Sequence, residues 1–328
     1  VRMIRELPVE TVHLDLWNVG FSGISWQSNF RWDEDRRRLQ GLVTLPLPLR
    51  SLPILELGNT WRSERWDLVP SIRDEFQSDA RFDYKVNAMT IGLKVIPTHQ
   101  VELSLGFDYR NRDVLGTMSR LGMDSRNSGT VEVGMVLRPF DGRYKNQIRV
   151  EGFLARRSLI GDFDFTGGSV AVRNRIVIDR RGRALFDWSV SGGTSRGELP
   201  VDHYFILGLG DITDHRLRGH VAHNGGQYGR APMGTDFVLV NTDIQYRLFT
   251  IPLFNTLDIP FIQVKAMGFF DSAKTFDRQR IFRQGHWLND LGGGLRFETP
   301  TTSFTVLYGR NIDVEENNLY GYVERRIW

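Results

Sequence analysis

The sequence predicts an all-β protein, specifically a transmembrane antiparallel β-barrel of about 16 strands. Three observations lead there. Apolar and polar side chains alternate with a period of two from end to end, whereas helical periodicity is almost absent. The alternating segments recur about every 20 residues. Their connections switch between short turns and long loops, as in outer-membrane barrels, where short turns occupy one rim and long loops the other.

In chain order, the predicted strand cores are 2–7, 12–18, 24–32, 38–46, 53–65, 82–95, 99–111, 128–138, 146–157, 163–178, 183–195, 235–249, 259–273, 287–298, 302–311 and 317–328. The seventh is clear: Val101, Leu103, Leu105, Phe107 and Tyr109 oppose Gln100, Glu102, Ser104, Asp108 and Arg110. In the ninth, Ile148, Val150 and Leu154 oppose Gln147, Arg149 and Glu151. In the twelfth, Val238, Val240, Ile244, Tyr246 and Leu248 oppose Asn241, Asp243, Gln245 and Arg247. Short turns are expected at Pro97 and Thr98, at Asp141 to Arg143, at Arg181 to Arg183 and at Pro300 and Thr301. Long loops are expected at 66–81, 112–127, 196–234 and 274–286.

A soluble sandwich would show the same alternation. Two features favour lipid: the apolar face is continuous across nearly all strands, and it carries Trp26, Phe30, Trp32, Phe107, Tyr109, Trp188, Phe304 and Tyr308, as a bilayer-facing belt would. No immunoglobulin-like core signature appears. The opposite faces hold both signs of charge, including Arg149, Glu151, Lys265, Arg296 and Glu298, which suits a hydrated lumen. A mean hydropathy of −0.30 fits, because only every second strand residue meets lipid.

Composition bounds the function. With 41% hydrophobic and 25% charged residues among 328, the chain folds, and residues 1–328 are expected to form one barrel domain. There is no cysteine, so disulfides, thiolate metal sites and cysteine nucleophiles are excluded. A net charge of +3 is too small to argue for nucleic acid, and no run of 18 uncharged apolar residues exists for a membrane helix. The chain starts at Val1 without a basic and then apolar leader, so any secretion signal has been removed or the chain is a fragment.

The chemistry concentrates in the longest loop. There Leu217, Arg218, Gly219 and His220 follow a run of hydrophobic residues and glycines at 205–210. On the thirteenth segment come Phe269, Asp271 and Ala273; the parity that makes Ile262 and Gly268 lipid-facing points Asp271 into the lumen. A loop folded inward would bring Arg218 to that carboxylate for a two-pronged, charge-assisted pair, and Gly219 would let the loop backbone approach the wall. Arg-Gly also occurs at Arg181 and Arg196, so the conjunction with the strand carries the weight, not the dipeptide.

With these residues the chain resembles the barrel domain of the outer-membrane superfamily that contains BamA-type assembly insertases, TamA-type proteins and two-partner-secretion transporters, the surface antigen D15-like group. In that family a hydrophobic-Arg-Gly-aromatic motif lies in the sixth surface loop, between strands eleven and twelve, where Leu217 to His220 fall. The second motif, Phe-x-Asp-x-Gly on strand thirteen, is matched by Phe269, Asp271 and Ala273. The likeness extends through Asp290 to Pro300 and to a terminal strand signal, Ile327 and Trp328. His220 stands where the family has an aromatic and Ala273 where it has Gly; His220 brings pH sensitivity to the loop tip as an expectation. Glu324, Arg325 and Arg326 interrupt the terminal strand and belong at a rim. The family's periplasmic POTRA repeats are not encoded in this chain.

The resemblance implies a bacterial outer-membrane location and protein insertion or translocation, with no cofactor, no metal and no enzymatic chemistry. It implies as partners outer-membrane lipids and lipopolysaccharide, unfolded or secreted client proteins and periplasmic accessory proteins. A weakly paired seam between the first and last strands would open laterally, since the opening segments are short and polar and Pro8 removes a ladder donor. Rival readings are a two-partner-secretion pore, a barrel anchoring an enzymatic or binding domain, and a passive porin, the last opposed by the long loop. His203, His215, His220 and His223 lie near Asp202, Asp211 and Asp214, but without helical spacing they read as a polar plug rather than a metal site. Gly292, Gly293 and Gly294 lack the Lys and helix of a phosphate loop and read as a bend or close lumenal contact. Asp290 beside His286 is a weak catalytic pair. The acidic run 33–35 and basic run 36–38 read as a solvated, self-compensating hairpin tip.

Overall fold

The computed structural model describes residues 3–5, 11–16, 23–48, 53–69, 71–74, 80–115, 125–140, 142–208, 215–220, 223–224, 227–228, 231–252, 261–283, 285–299, 302–313 and 317–325. Among these, the wall strands run in order as β1 (Met3–Arg5), β2 (Thr11–Leu16), β3 (Ser25–Trp32), β4 (Arg36–Pro46), β5 (Ile54–Asp67), β6 (Arg81–Thr98), β7 (Val101–Leu115) and β8 (Asn127–Phe140). They continue as β9 (Tyr144–Ala155), β10 (Phe165–Val177), β11 (Ala184–Gly197), β12 (Asp236–Pro252), β13 (Phe261–Phe276), β14 (Leu288–Glu298), β15 (Thr302–Asn311) and β16 (Asn317–Arg325). Each pairs antiparallel with the next in one continuous sheet. Among the described residues no ladder joins β1 to β16. Every predicted segment has its strand. The turn placed at Pro97 and Thr98 moves: β6 continues to Thr98 through a bulge after Val95, and the turn falls on His99 and Gln100.

The outward face is the predicted belt, with Phe30, Leu39, Ile91, Leu105, Val133, Val170, Ile244, Leu291 and Phe304 exposed. In β12 a bulge between Arg247 and Phe249 puts both Leu248 and Phe249 on that face. Without the bulge Phe249 would turn inward.

The inner face is not uniformly wet. Toward the short-turn rim it carries ion pairs such as Lys94 with Glu56 at 2.9 Å and Arg175 with Asp187 at 2.7 Å. Toward the long-loop rim it is dry. There Trp66, Phe82, Tyr84 and Val86 of β5 and β6 pack with Phe165 of β10 and with Phe163, Tyr204, Ile206 and Phe282 from the loops into one core. Strand β6 records the change: Phe82, Tyr84 and Val86 are buried inward while Asp83 and Lys85 face out, and beyond Ala88 the exposed residues are Met89, Ile91 and Leu93. Its upper end therefore stands beyond the hydrocarbon, with water outside and a dry core inside. The charge run at 33–38 is likewise corrected. Arg36 and Arg38 point inward and are buried, and Arg38 pairs with Glu64 at 2.7 Å in the lumen; Glu34 and Arg37 stay exposed, and Asp35 pairs with Arg65.

Candidate functional site: the anchored lumenal loop

The connection between β11 and β12 enters the barrel. Its residues Phe205–Ile206 pair with Met233–Gly234, and its short hairpin, His223–Asn224 with Gln227–Tyr228, meets β5 at Trp66. Leu217 is fully buried among Phe205, Leu207, Phe237, Leu239, Ala273 and Leu288, which seats the segment against β12 to β14.

That seat places Arg218 over the wall. Its Nε donates to Asp271 Oδ2 at 2.8 Å and one terminal nitrogen to Asp271 Oδ1 at 2.5 Å, while its backbone N–H donates to the same carboxylate at 3.0 Å. The other terminal nitrogen pairs with Asp243. The guanidinium stacks 4.1 Å from the ring centre of Phe269, a cation–π contact. Burial by itself would lower the Arg218 pKa, but the hydrogen bond and charge of Asp271, joined by Asp243, hold it above its ordinary value. Asp271 is fully buried and also accepts Asn241 Nδ2 at 2.7 Å, so its lone pairs are filled.

Gly219 and His220 extend the contact toward the sheet's last strands. The Gly219 N–H donates to Asp290, and a Cβ at Gly219 would collide with that carboxylate. Asn318 of β16 donates to the Gly219 carbonyl at 2.6 Å. His220 Nδ1 lies 3.1 Å from Asp290 Oδ1, and its Nε2 lies 2.7 Å from Asn311 Nδ2 of β15. Since the Asn311 Oδ1 already accepts the Asp313 N–H, its Nδ2 is the donor, which fixes Nε2 as acceptor and Nδ1 as the protonated nitrogen. The Phe269 ring lies against Gly292, where any side chain would displace it.

A second anchor lies across the barrel. Asp202 accepts Arg112 Nε at 2.8 Å and an Arg110 terminal nitrogen at 2.8 Å, both from β7. Burial would raise the Asp202 carboxyl, but Arg112 and Arg110 hold it well below the carboxylate range. Next to it, His203 is enclosed by Phe165 and Phe153, at ring distances of 4.5 and 5.6 Å. Burial pushes its imidazole down to about 3, with Asp202 opposing that shift and Arg110 and Arg112 reinforcing it.

The structure thus brings Leu217, Arg218, Gly219, His220, Phe269, Asp271 and Ala273 into one cluster; Ile327 and Trp328 lie outside the described residues. It does not gather the histidines. His203, His215 and His220 each have separate partners, the ring of His215 lying 4.2 Å from that of Phe237, and the side chain of His223 is outside the described residues. Asp290 serves the loop rather than His286. Sequence reasoning missed Asp243, Asp290 as an anchor, and the Asp202 clamp. Parity offered a signal, since Asp243, Asp271 and Asp290 share the lumenal face and Arg110 and Arg112 share theirs, but nothing local paired them with the loop.

Fold, belt and inward-folded loop define the class: a transmembrane β-barrel of the outer-membrane type whose lumen is occupied by its own long loop. No protein-family model and no curated protein matches the sequence. Solved structures do match. The barrel of BamA from Haemophilus ducreyi lacking POTRA domains 1–3 aligns with a TM-score of 0.69 at 11% identity, covering 96% of this chain and 66% of that one. CdiB from Escherichia coli aligns at 0.67 and 15% identity over 95% of this chain and 58% of that one. CdiB from Acinetobacter baumannii aligns at 0.63 and 13%, over 95% and 55%. The chain spans less than two thirds of each matched chain. It has the barrel fold shared by BamA and CdiB.

Proposed function

We propose that this barrel inserts or translocates polypeptides at the bacterial outer membrane, by lateral opening of a seam between the two edges of its sheet and without covalent chemistry. One observation carries the reading: the loop tip is fastened to the strands beside that seam, Gly219 to Asn318 of β16 and His220 to Asn311 of β15. Opposite them, among the described residues, the first ladder holds three residue pairs and the second six, against sixteen between β12 and β13. An edge with so few hydrogen bonds opens at low cost and offers a client strand free donors and acceptors. In this reading Arg218 and Asp271 keep the loop seated and the wall stiff beside the opening, and the partners are unfolded or secreted clients, lipid, lipopolysaccharide and periplasmic accessory proteins.

A lumenal route is the second reading. It is supported by a cavity of about 420 Å³ under the loop, lined by Gln147, Ser169, Ser189, Ser191 and Asn241. A single experiment separates the two. Because the chain has no cysteine, a pair introduced across the seam makes the only disulfide. Pairs scanned between 3–5 and 317–325 that close the seam should abolish client insertion into liposomes, with recovery on reduction. Full insertion by the sealed barrel would overturn lateral opening. Transport that survives sealing but stops when the loop is cross-linked to β13 would establish the lumenal route.

A further inference from the structure

At the short-turn rim, one sector of the wall collects arginines that, among the described residues, form no ion pair with an acid. Arg143 enters from the β8–β9 turn, Arg180, Arg181 and Arg183 from the β10–β11 turn, and Arg247 from β12. The first four are exposed and Arg247 is half-buried. Two of them bond to backbone oxygens, Arg143 to the Asp179 carbonyl and Arg247 to the Arg181 carbonyl. These orient the guanidinium forks and neutralise nothing. The one carboxylate in the turn, Asp179, accepts the N–H groups of Arg183 at 2.6 Å and Ala184 at 2.9 Å, so it is occupied in closing the turn. By contrast, acids answer basic groups elsewhere on this rim, including Lys265, the register partner of Arg247 on β13. Lys94 meets Glu56 and Glu102, Arg138 meets Glu102, and Lys265 and Arg296 meet Glu298.

Register shows where these charges point. Arg183 bonds through its carbonyl to the N–H of Arg247, and Arg143 through its carbonyl to that of Val177. Both pairs carry the lumenal parity of Gln147, Arg149, Arg173 and Gln245. The lipid face of the same strands is apolar, with Tyr144, Ile178 and Tyr246 exposed there. Arg143, Arg183 and Arg247 therefore line the mouth of the lumen, and Arg173 continues the charge inward to the wall of the cavity beneath the loop. A lipid headgroup outside the barrel stands on the wrong side of the wall to meet them.

We propose that this sector of the short-turn mouth is a docking surface for an acidic, extended polypeptide segment presented from the short-turn side. Charge complementarity sets the occupant's sign: a basic cleft with low-dielectric walls raises the local concentration of anions and steers their approach. The spacing sets its form. Arg143, Arg183 and Arg247 stand at the ends of neighbouring strands set roughly 5 Å apart, a row that an extended segment crossing the strand ends can meet in turn, and each guanidinium can take a carboxylate bidentately. The docking surface is independent of whether the barrel works by its seam or its lumen.

The test uses the full chain in detergent micelles and in nanodiscs of zwitterionic lipid, with a fluorescent dodecapeptide bearing Glu at every second position. Controls are a composition-matched isomer with the Glu residues in one block and a Gln analogue. The alternating peptide should bind most tightly and weaken as salt rises. R143Q/R183Q/R247Q should lose at least tenfold in affinity, with the heat-modifiable band unchanged, whereas R65Q/R81Q at the other rim should bind as wild type. Equal binding of the Gln analogue, or an unchanged Kd in the triple variant, would overturn the proposal. So would displacement of the peptide by vesicles of anionic phospholipid, because the arginines would then serve lipid.

Discussion

Replacing Arg218 with Ala tests whether the loop is held by charge or merely by packing. The substitution leaves Asp271 fully buried with its principal cation gone and strips the cation–π contact from Phe269. Removing one partner of a buried pair costs about 3–5 kcal/mol, because the remaining charge has no water to turn to. If the loop leaves its seat to rehydrate Asp271, its open population rises about 10²- to 10⁴-fold. Hydrogen exchange across 215–220 reads that population directly, and the urea midpoint in detergent reads the barrel. The cycle with Asp271→Ala sharpens the result. Deleting the orphaned carboxylate should recover about 2 kcal/mol of the loss, since residues in one ion-pair network are coupled. Arg218→Lys should fall between, a point charge being unable to bridge Asp271 and Asp243 at once. Unchanged exchange in Arg218→Ala, or strictly additive costs in the cycle, would refute the electrostatic account.

Other expectations follow from the same geometry. The His203 imidazole titrates at about 3 when enclosed and near 6.5 when released, so its seat is fully stable above pH 6.5 and weakens as pH falls toward 3. At pH 5 the loss is about 2 kcal/mol, seen as faster proteolysis of the loop, and His203→Phe should remove that pH dependence. The Asp202 clamp acts in the other range: its depressed carboxyl contributes fully above the ordinary aspartate value near 4 and is lost only as pH falls through its own, so Asp202→Asn should release the loop at neutral pH. Gly219→Ala drives a methyl into Asp290 and should cost about 1–3 kcal/mol, again visible in exchange at 215–220. Leu105→Arg places a charge in the belt and should cost about 2–4 kcal/mol in liposome refolding, while Ser191→Arg, facing the cavity, should be tolerated.

Much of the site was legible because two motifs and one parity sufficed. Asp271 had to face inward once Gly268 and Phe270 faced out, and Arg218 was the cation of a loop long enough to reach it. What stayed hidden were partners whose sequence separation carries no pattern. Arg112 and Asp202 lie 90 residues apart, and Gly219 and Asn318 lie 99 apart. The dry core misled in a different way. A buried residue such as Phe82 alternates with its neighbours as a lipid-facing one does, and a period of two cannot tell which face meets lipid.

The sequence by itself determined the strands, their order and which side chains share a face, because alternation is a local consequence of the pleat and turns are written in a few adjacent residues. Only the tertiary structure decided what each face meets: lipid beside Ile91, water beside Lys85, a packed loop beside Phe237. That depends on how far each strand stands out of the bilayer and on where a distant loop comes to rest, and burial is a property of the folded assembly rather than of any segment of chain.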